Sequence, residues 1–240
     1  MIQNVLDGIL TGSVISLGAI GLTMVMHMRR FANFAYAELL AIGAYAALVF
    51  DKVLTALAPV MATMFKPLTV SASLALATLA AMVITGVSAV VIDWLVFRRI
   101  RAKADALSMV FASFGVALII RNAITLAFGH NAQLFSQDIA FATVLSTDPL
   151  ILIKADQVFV LIAALTLMAA FHIVLTRSAF GFALRAVAEN PDLAQVAGVR
   201  LSRMIVAVWL IGGGLSAAAG VFYTLTNHLS PALGHNFLLP

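Results

Sequence analysis

The sequence contains no cysteine, which excludes disulfides, thiolate metal sites and a cysteine nucleophile. Charge is scarce as well: Asp, Glu, Lys and Arg make up 10% of 240 residues, while 63% are hydrophobic. Soluble domains carry roughly 45–50% apolar residues, so a soluble fold of this length lacks the charged surface to stay dispersed. No G-x-x-x-x-G-K-[ST] loop is present, and neither G-x-S-x-G nor H-E-x-x-H occurs, so the usual nucleotide cradle and the familiar serine and zinc protease signatures are missing. The histidines (His27, His130, His172, His228 and His235) show no metal-ligand spacing. The chain is therefore expected to hold no metal or cofactor and to have no catalytic residues of its own.

What is present is length in apolar blocks. The mean hydropathy is +1.09, and the blocks run to about 20 residues, enough to cross a hydrocarbon core of roughly 30 Å. The alternating ten-residue strands of a membrane barrel are absent. The expected fold is all-α, a polytopic transmembrane bundle in one domain over 1–240, with about six spans near 5–26, 35–51, 70–97, 106–128, 156–175 and 204–226. The third block is long enough to tilt or to run past the membrane surface.

A pI near 9.9 invites a nucleic-acid reading, but the basic residues sit in short loops between apolar blocks, which is a topology signal. The loops after spans one, three and five hold Arg29, Arg30, Arg98, Arg99, Arg101, Lys103, Arg177, Arg185, Arg200 and Arg203. Those after spans two and four hold only Lys52, Lys66 and Lys154. The first set is cytoplasmic by the positive-inside rule, and the N-terminus lies outside. The start, "MIQNVLDGIL", has an acid and no basic n-region, so span one is expected to be retained rather than cleaved. The segment 129–155, with Asp138, Asp148 and Pro149, is the largest external connection.

One cytoplasmic stretch, about 177–203, is polar and helix-sized, and within it "RAVAENPDLAQVAGVRLSR" carries the signals. Asn190 can cap a helix, and Pro191 suits its first position, where a backbone N–H has no partner anyway. Asp192 favours the positive end of the helix dipole, and Gly198 fits the left-handed residue that ends a helix. The spacing predicts a short helix over 191–197 after a helical piece around 180–189. Leu193, Val196 and Ala197 form one apolar stripe, with Asp192 and Gln195 off it. Such a helix either rests on lipid headgroups or docks on a protein. Headgroup-binding helices are rich in Lys and Arg; none occurs between Glu189 and Val199, which favours a groove on a cytoplasmic protein.

Small residues recur at helix-packing spacing: Gly212, Ser216 and Gly220, then Gly213 with Ala217, and in span one Gly8, Gly12 and Ser16. This lets helix backbones approach closely, in a bundle that also has room for a second copy or a related subunit. Two ionisable residues within spans, Glu38 and Arg121, are less easily assigned to an interface. Glu38 stands at the cytoplasmic start of span two, either facing a cavity or satisfied by backbone amides and Arg29 or Arg30. Arg121, toward the outer half of span four beside Asn122, is expected to snorkel to the outer interface. Asp93, just before Trp94, is expected to pair with Arg98 or Arg99 at the interface. Asn33, Ser113 and Asn122 are polar enough to line a route or to bond a neighbouring helix.

These stretches resemble the permease subunits of Liv-type branched-chain amino-acid ABC importers. "GSVISLGAIGLTMVMHMRRFANFAYAELLAIGAY" (12–45) is similar to that family's opening span and Asn-Phe-Ala-His-Gly-Glu signature, with Asn33, Phe34, Ala35 and Glu38 in step. Tyr36 and Ala37 depart from its His and Gly. "TRSAFGFALRAVAENPDLAQVAGVRLSR" is similar to its coupling segment, and span six fits its small-residue pattern. The short N-terminus favours the smaller of two paired permeases. Family members continue past the equivalent of Pro240 into a Gly-rich segment and further spans, so a truncated chain is expected. The resemblance implies that ATP-binding subunits grip 185–199, with Arg185, Glu189, Asn190, Asp192, Leu193, Val196 and Gly198 in the coupling segment. It also implies a second permease, a periplasmic binding protein and a bacterial inner membrane whose lipid surrounds the bundle. Nucleic acid has no place in it. The rivals are a self-sufficient secondary transporter or channel, with Glu38 and Arg121 carrying ions or protons, and an assembly protein without transport.

Overall fold

The computed structural model describes residues 2–29, 31–58, 60, 70–101, 105–133, 135, 143–147 and 150–238. Arg30, Lys66, Lys103, Asp138, Asp148, Pro149 and Pro240, used in the topology reading, lie outside them. Six helices among the described residues are long and apolar enough to cross a membrane. They are α1 (Ile2–Arg29), α2 (Ala35–Leu57), α3 (Ala72–Ile92), α5 (Ala106–Phe128), α6 (Ala155–Arg177) and α9 (Leu201–Thr226). The third span continues through a π-helical turn, Asp93–Phe97, into the short α4 (Arg98–Arg101). Between the fifth and sixth spans lie α7 (Ala179–Glu189) and α8 (Pro191–Val196), and α10 (Leu233–Leu238) closes the described chain. The connection 129–155 includes a small antiparallel hairpin, β1 (Thr143–Thr147) with β2 (Leu150–Ile153).

Local chemistry explains the ends. Ser71 accepts a hydrogen bond from the Leu74 N–H, Asp105 from that of Ser108, and Ser178 from that of Gly181. These are N-caps that satisfy donors the helix itself leaves unpaired. Gly129 stops α5 in a left-handed conformation, at φ 80°, which costs glycine nothing.

Helix α9 is the axis of the bundle, packed on α1, α2, α3 and α6. Of its most apolar 18 residues 72% are buried, against 17% for α6. Small side chains make that possible. A Cβ on Gly213 would lie 2.8 Å from Gly86 Cα of α3, and one on Gly212 2.8 Å from Val25 of α1. Gly220 lies against the Leu40 carbonyl and Gly43 against Ala217. In lipid no hydrophobic effect drives helices together, so close van der Waals approach does. The outer surfaces of α3, α5 and α6 present large apolar residues such as Val83, Phe111, Ile119 and Ile162.

Among the described residues, a Cβ on Gly8 or Gly12 would find nothing within 4 Å. Spacing alone marks a smooth face without saying which face has a neighbour. Helix α1 meets α9 further along, through Gly18 and Gly21, which face Phe237 and the Tyr36 hydroxyl.

Candidate functional site

Two arrangements stand out, one at the surface of the connection between α6 and α9 and one deep in the bundle. At the surface, Asn190 Oδ1 accepts from the N–H groups of Asp192 and Leu193, both at 3.1 Å, and Pro191 opens α8. Gly198 ends the turn at φ 90°. Ala194 points inward and joins Val187 of α7 and Met204 of α9 in a small core. That core fixes the opposite side of α8 outward: Leu193 is 67% exposed and Val196 87%. Ala197, Asp192 and Gln195 are exposed around them. The result is a two-residue apolar ridge with a polar rim, set on the small core of Ala194, Val187 and Met204. Beside it a groove of about 720 Å³ runs between α8 and the end of the third span, lined by Asp93, Trp94, Arg98, Gln195 and Arg200.

The structure divides the residues expected in this segment. Asp192, Leu193 and Val196 share the exposed helix, with Asn190 and Gly198 shaping its ends. Arg185 turns away: its Nη1 donates to the Leu175 carbonyl at 2.7 Å, and its guanidinium lies 4.8 Å from the Phe182 ring. It ties α7 to the end of α6. Together with Glu189 it lines a different cleft, between α1 and α6, beside His27 and His172.

The second arrangement lies deeper than the sequence suggested. Helix α1 ends at Arg29 and α2 begins at Ala35, and of the described non-helical residues between them Phe31 and Asn33 are buried, while Phe34 is exposed. Phe31 packs on Phe97, which stacks on Trp209 of α9. The Tyr36 hydroxyl donates to the Gly212 carbonyl at 2.8 Å. Gly212 lies roughly 17 Å along α9 from Leu201 at 1.5 Å per residue, close to the middle of the span. Non-helical backbone survives at that depth only where protein or a cavity covers it. Here protein does: the Phe34 N–H donates to Ser113 Oγ at 3.1 Å, and the Ala35 N–H to Asn33 Oδ1 at 3.1 Å.

Glu38, in the first turn of α2, therefore stands near mid-depth rather than at the membrane interface. Arg121 does not snorkel outward. Its Nη2 donates to Glu38 Oε1 at 2.7 Å, a charge-assisted bond across α2 and α5. The two side chains differ in cover, Glu38 at 2% and Arg121 at 28% exposed. Pairing outcompetes snorkelling because an unpaired carboxylate at this depth is far costlier than a bent arginine. Asn122, by contrast, donates to the Leu118 carbonyl of its own helix and stays exposed. The sequence reading placed both charges within spans and missed that they meet. They lie 83 residues apart, and no local pattern links them.

The family described as the permease component of branched-chain amino acid transport systems matches residues 4–239. The chain belongs to that family. Among curated relatives, this permease-family chain is 25% identical over 236 residues to the high-affinity branched-chain amino acid transport system permease protein BraD of Pseudomonas aeruginosa, covering 97% of this chain and 74% of BraD. It is 26% identical over 239 residues to the corresponding LivH protein of Salmonella typhimurium and 27% identical over 238 to that of Escherichia coli, covering 94% of this chain and 72% of each relative. No solved structure matches it. As a family member with six membrane-length helices, the chain is a multi-pass membrane permease. In that setting Tyr36 has a physical role of its own, since its hydroxyl fills the space above Gly21 and ties α2 to α9.

Proposed function

We propose that this permease is the transmembrane subunit of an ATP-driven importer for branched-chain or related small amino acids or amides. It sits in a bacterial inner membrane with a second permease, separate ATPase subunits and a periplasmic binding protein. The chain itself holds no cofactor and catalyses nothing; ATP is bound and cleaved on its partners. The single observation that carries this reading is the α8 ridge: Leu193 and Val196 are exposed on a helix capped at both ends, with no cation between Glu189 and Val199 to hold lipid phosphates. An ATPase groove closing on that ridge pushes through Ala194, Val187 and Met204 into α9, the axis of the bundle. On this reading Asn33, Glu38, Ser113 and Asn122 lie along the route that α9 opens and closes.

Leu193→Asp and Val196→Asp test it directly. Both sites are exposed, so stability stays within about 0.5 kcal/mol. ATPase subunits that co-purify with the native chain in mild detergent are expected to be lost from these variants. Retention of the ATPase, with ATP turnover as in the native complex, sinks the coupling assignment. Transport by the purified chain alone, under an ion gradient, moves the reading to a secondary carrier.

A further inference from the structure

Glu38 and Arg121 do more than neutralise one another, because each keeps an unused hydrogen-bonding atom. Among the described residues Glu38 Oε2 and Arg121 Nε have no partner, and neither has the nearby Asn33 Nδ2. All three belong to residues at or facing the deep start of α2. Asn33 and Glu38 are more than nine-tenths buried, while Arg121 is open on the α5 side. An arginine part-open at mid-membrane does not face lipid; such residues face a cavity, a water-filled route or protein. Of the two side chains it is thus the guanidinium that is open to an approaching group. His235 of α10 adds a third group within electrostatic reach of Glu38, where a Cβ on Gly234 would lie 2.5 Å from the Ala37 carbonyl.

We propose that the Glu38–Arg121 pair is a binding subsite for the two charged ends of a zwitterionic α-amino acid, which passes by parting the pair. The inference rests on the importer reading above and narrows its substrate class. Opening an ion pair at this depth leaves a carboxylate and a guanidinium without counter-charges, which is strongly unfavourable. An α-amino acid supplies both missing charges at once, its carboxylate to Arg121 and its ammonium to Glu38. The idle Nε and Oε2 make each new contact two-pronged, the geometry guanidinium and carboxylate groups favour. Urea or a neutral amide re-pairs neither charge, so the pair stays shut against it. The selection is by charge pattern, not by the aliphatic side chain.

The test uses the complete complex in proteoliposomes, with a tritiated amino-acid mixture containing leucine and with labelled urea as probes. ATP-dependent amino-acid uptake without urea uptake is expected. Urea uptake through the native pair overturns the subsite while leaving the importer reading intact; ATP-dependent uptake of neither probe overturns the importer reading itself. The deciding variant is Glu38→Leu with Arg121→Met, which replaces the pair by apolar groups of similar bulk and so leaves no buried charge orphaned. The complex is expected to assemble and amino-acid uptake to fall at least about 100-fold, since both substrate charges lose their partners. Uptake at the native rate makes the pair purely structural. If that variant does not assemble, Arg121→Lys decides: it keeps the charge and the pairing but loses the planar fork. KM is expected to rise about tenfold with the thermal midpoint unmoved, and a native KM overturns the proposal.

Discussion

Helix α9 and the α7–α8 segment are neighbours in the chain, yet they use small and apolar residues to opposite ends. In α9, Gly212, Gly213, Ser216 and Gly220 are all buried and bring three other helices to near-backbone contact. In α8, Ala194 alone is buried, and the larger apolar residues Leu193 and Val196 stand out in the open. Packing governs the first: removing lateral space there threatens the fold. Exposure governs the second, where the fold gains nothing from its apolar surface and a partner does. The difference separates positions that hold the bundle from positions through which it is driven. It also explains why Met204, shared by the start of α9 and the small core under α8, is the mechanical joint between them.

Crowding α9 is the strongest way to break that contrast. Gly220→Leu drives a branched side chain into the Leu40 carbonyl of α2. Overpacking in a well-filled core costs about 1–3 kcal/mol and more where backbone must move; here the obstacle is backbone. The variant is expected to lose most of its monodisperse yield in detergent. Gly8→Leu, of the same size but with nothing within 4 Å, is expected to leave thermal midpoint and yield unchanged. Equal damage from the two refutes the claim that α9, and not small residues in general, organises the bundle.

That pair of substitutions also marks what could be read from residues alone. Span number, the α7 and α8 boundaries, the Asn190 cap and the Gly198 stop follow from local chemistry, because capping and helix termination are settled within a few residues. Which small-residue face finds a neighbour is a tertiary fact, and so Gly8 and Gly12 read no differently from Gly18 and Gly21. The depth of the α1–α2 connection was half legible: Phe31-Ala32-Asn33-Phe34 carries no charge, unlike a surface loop, yet the preceding Arg29 and Arg30 drew Glu38 to the interface in the reading. The meeting of Glu38 with Arg121 had no local signal at all, since it depends on α2 and α5 lying side by side.

The contrast sharpens at intermediate strength with Asn190→Ala. It removes one side chain that holds two N–H groups of α8, a loss of about 1 kcal/mol for an N-cap. The inward Ala194 keeps α8 near its place, so the bundle is expected to melt as the native chain does, since α9 is untouched. The ridge, however, frays. Affinity for the ATPase subunits, followed by co-purification across a dilution series, is expected to drop about tenfold, the equivalent of about 1.4 kcal/mol. A fall in thermal midpoint without a fall in affinity reverses the assignment of fold to α9 and drive to α8.

The mildest probe is Asp105, the exposed cap of α5, which belongs to neither region. The Ser108 hydroxyl donates to its carboxylate at 2.6 Å and the Ser108 N–H at 3.2 Å. These bonds, the hydroxyl's first, hold the Asp105 carboxyl below the usual carboxylate range. A carboxyl whose folded value is lowered contributes stability that is present above its unfolded value and lost as pH falls through the folded one. Asp105→Ala is therefore expected to be slightly less stable than the native chain at neutral pH, with the gap closing in acid as the native carboxyl takes up a proton. Asp105→Asn keeps a capping oxygen without a charge, so it is expected to show a smaller gap and no such pH dependence. The side chain is fully exposed, so the effect stays well below that of Asn190→Ala, and it leaves ATPase affinity untouched. A gap that persists unchanged into acid shows that the cap acts through geometry and not through charge, and places α5 with α9 among the helices whose position packing alone decides.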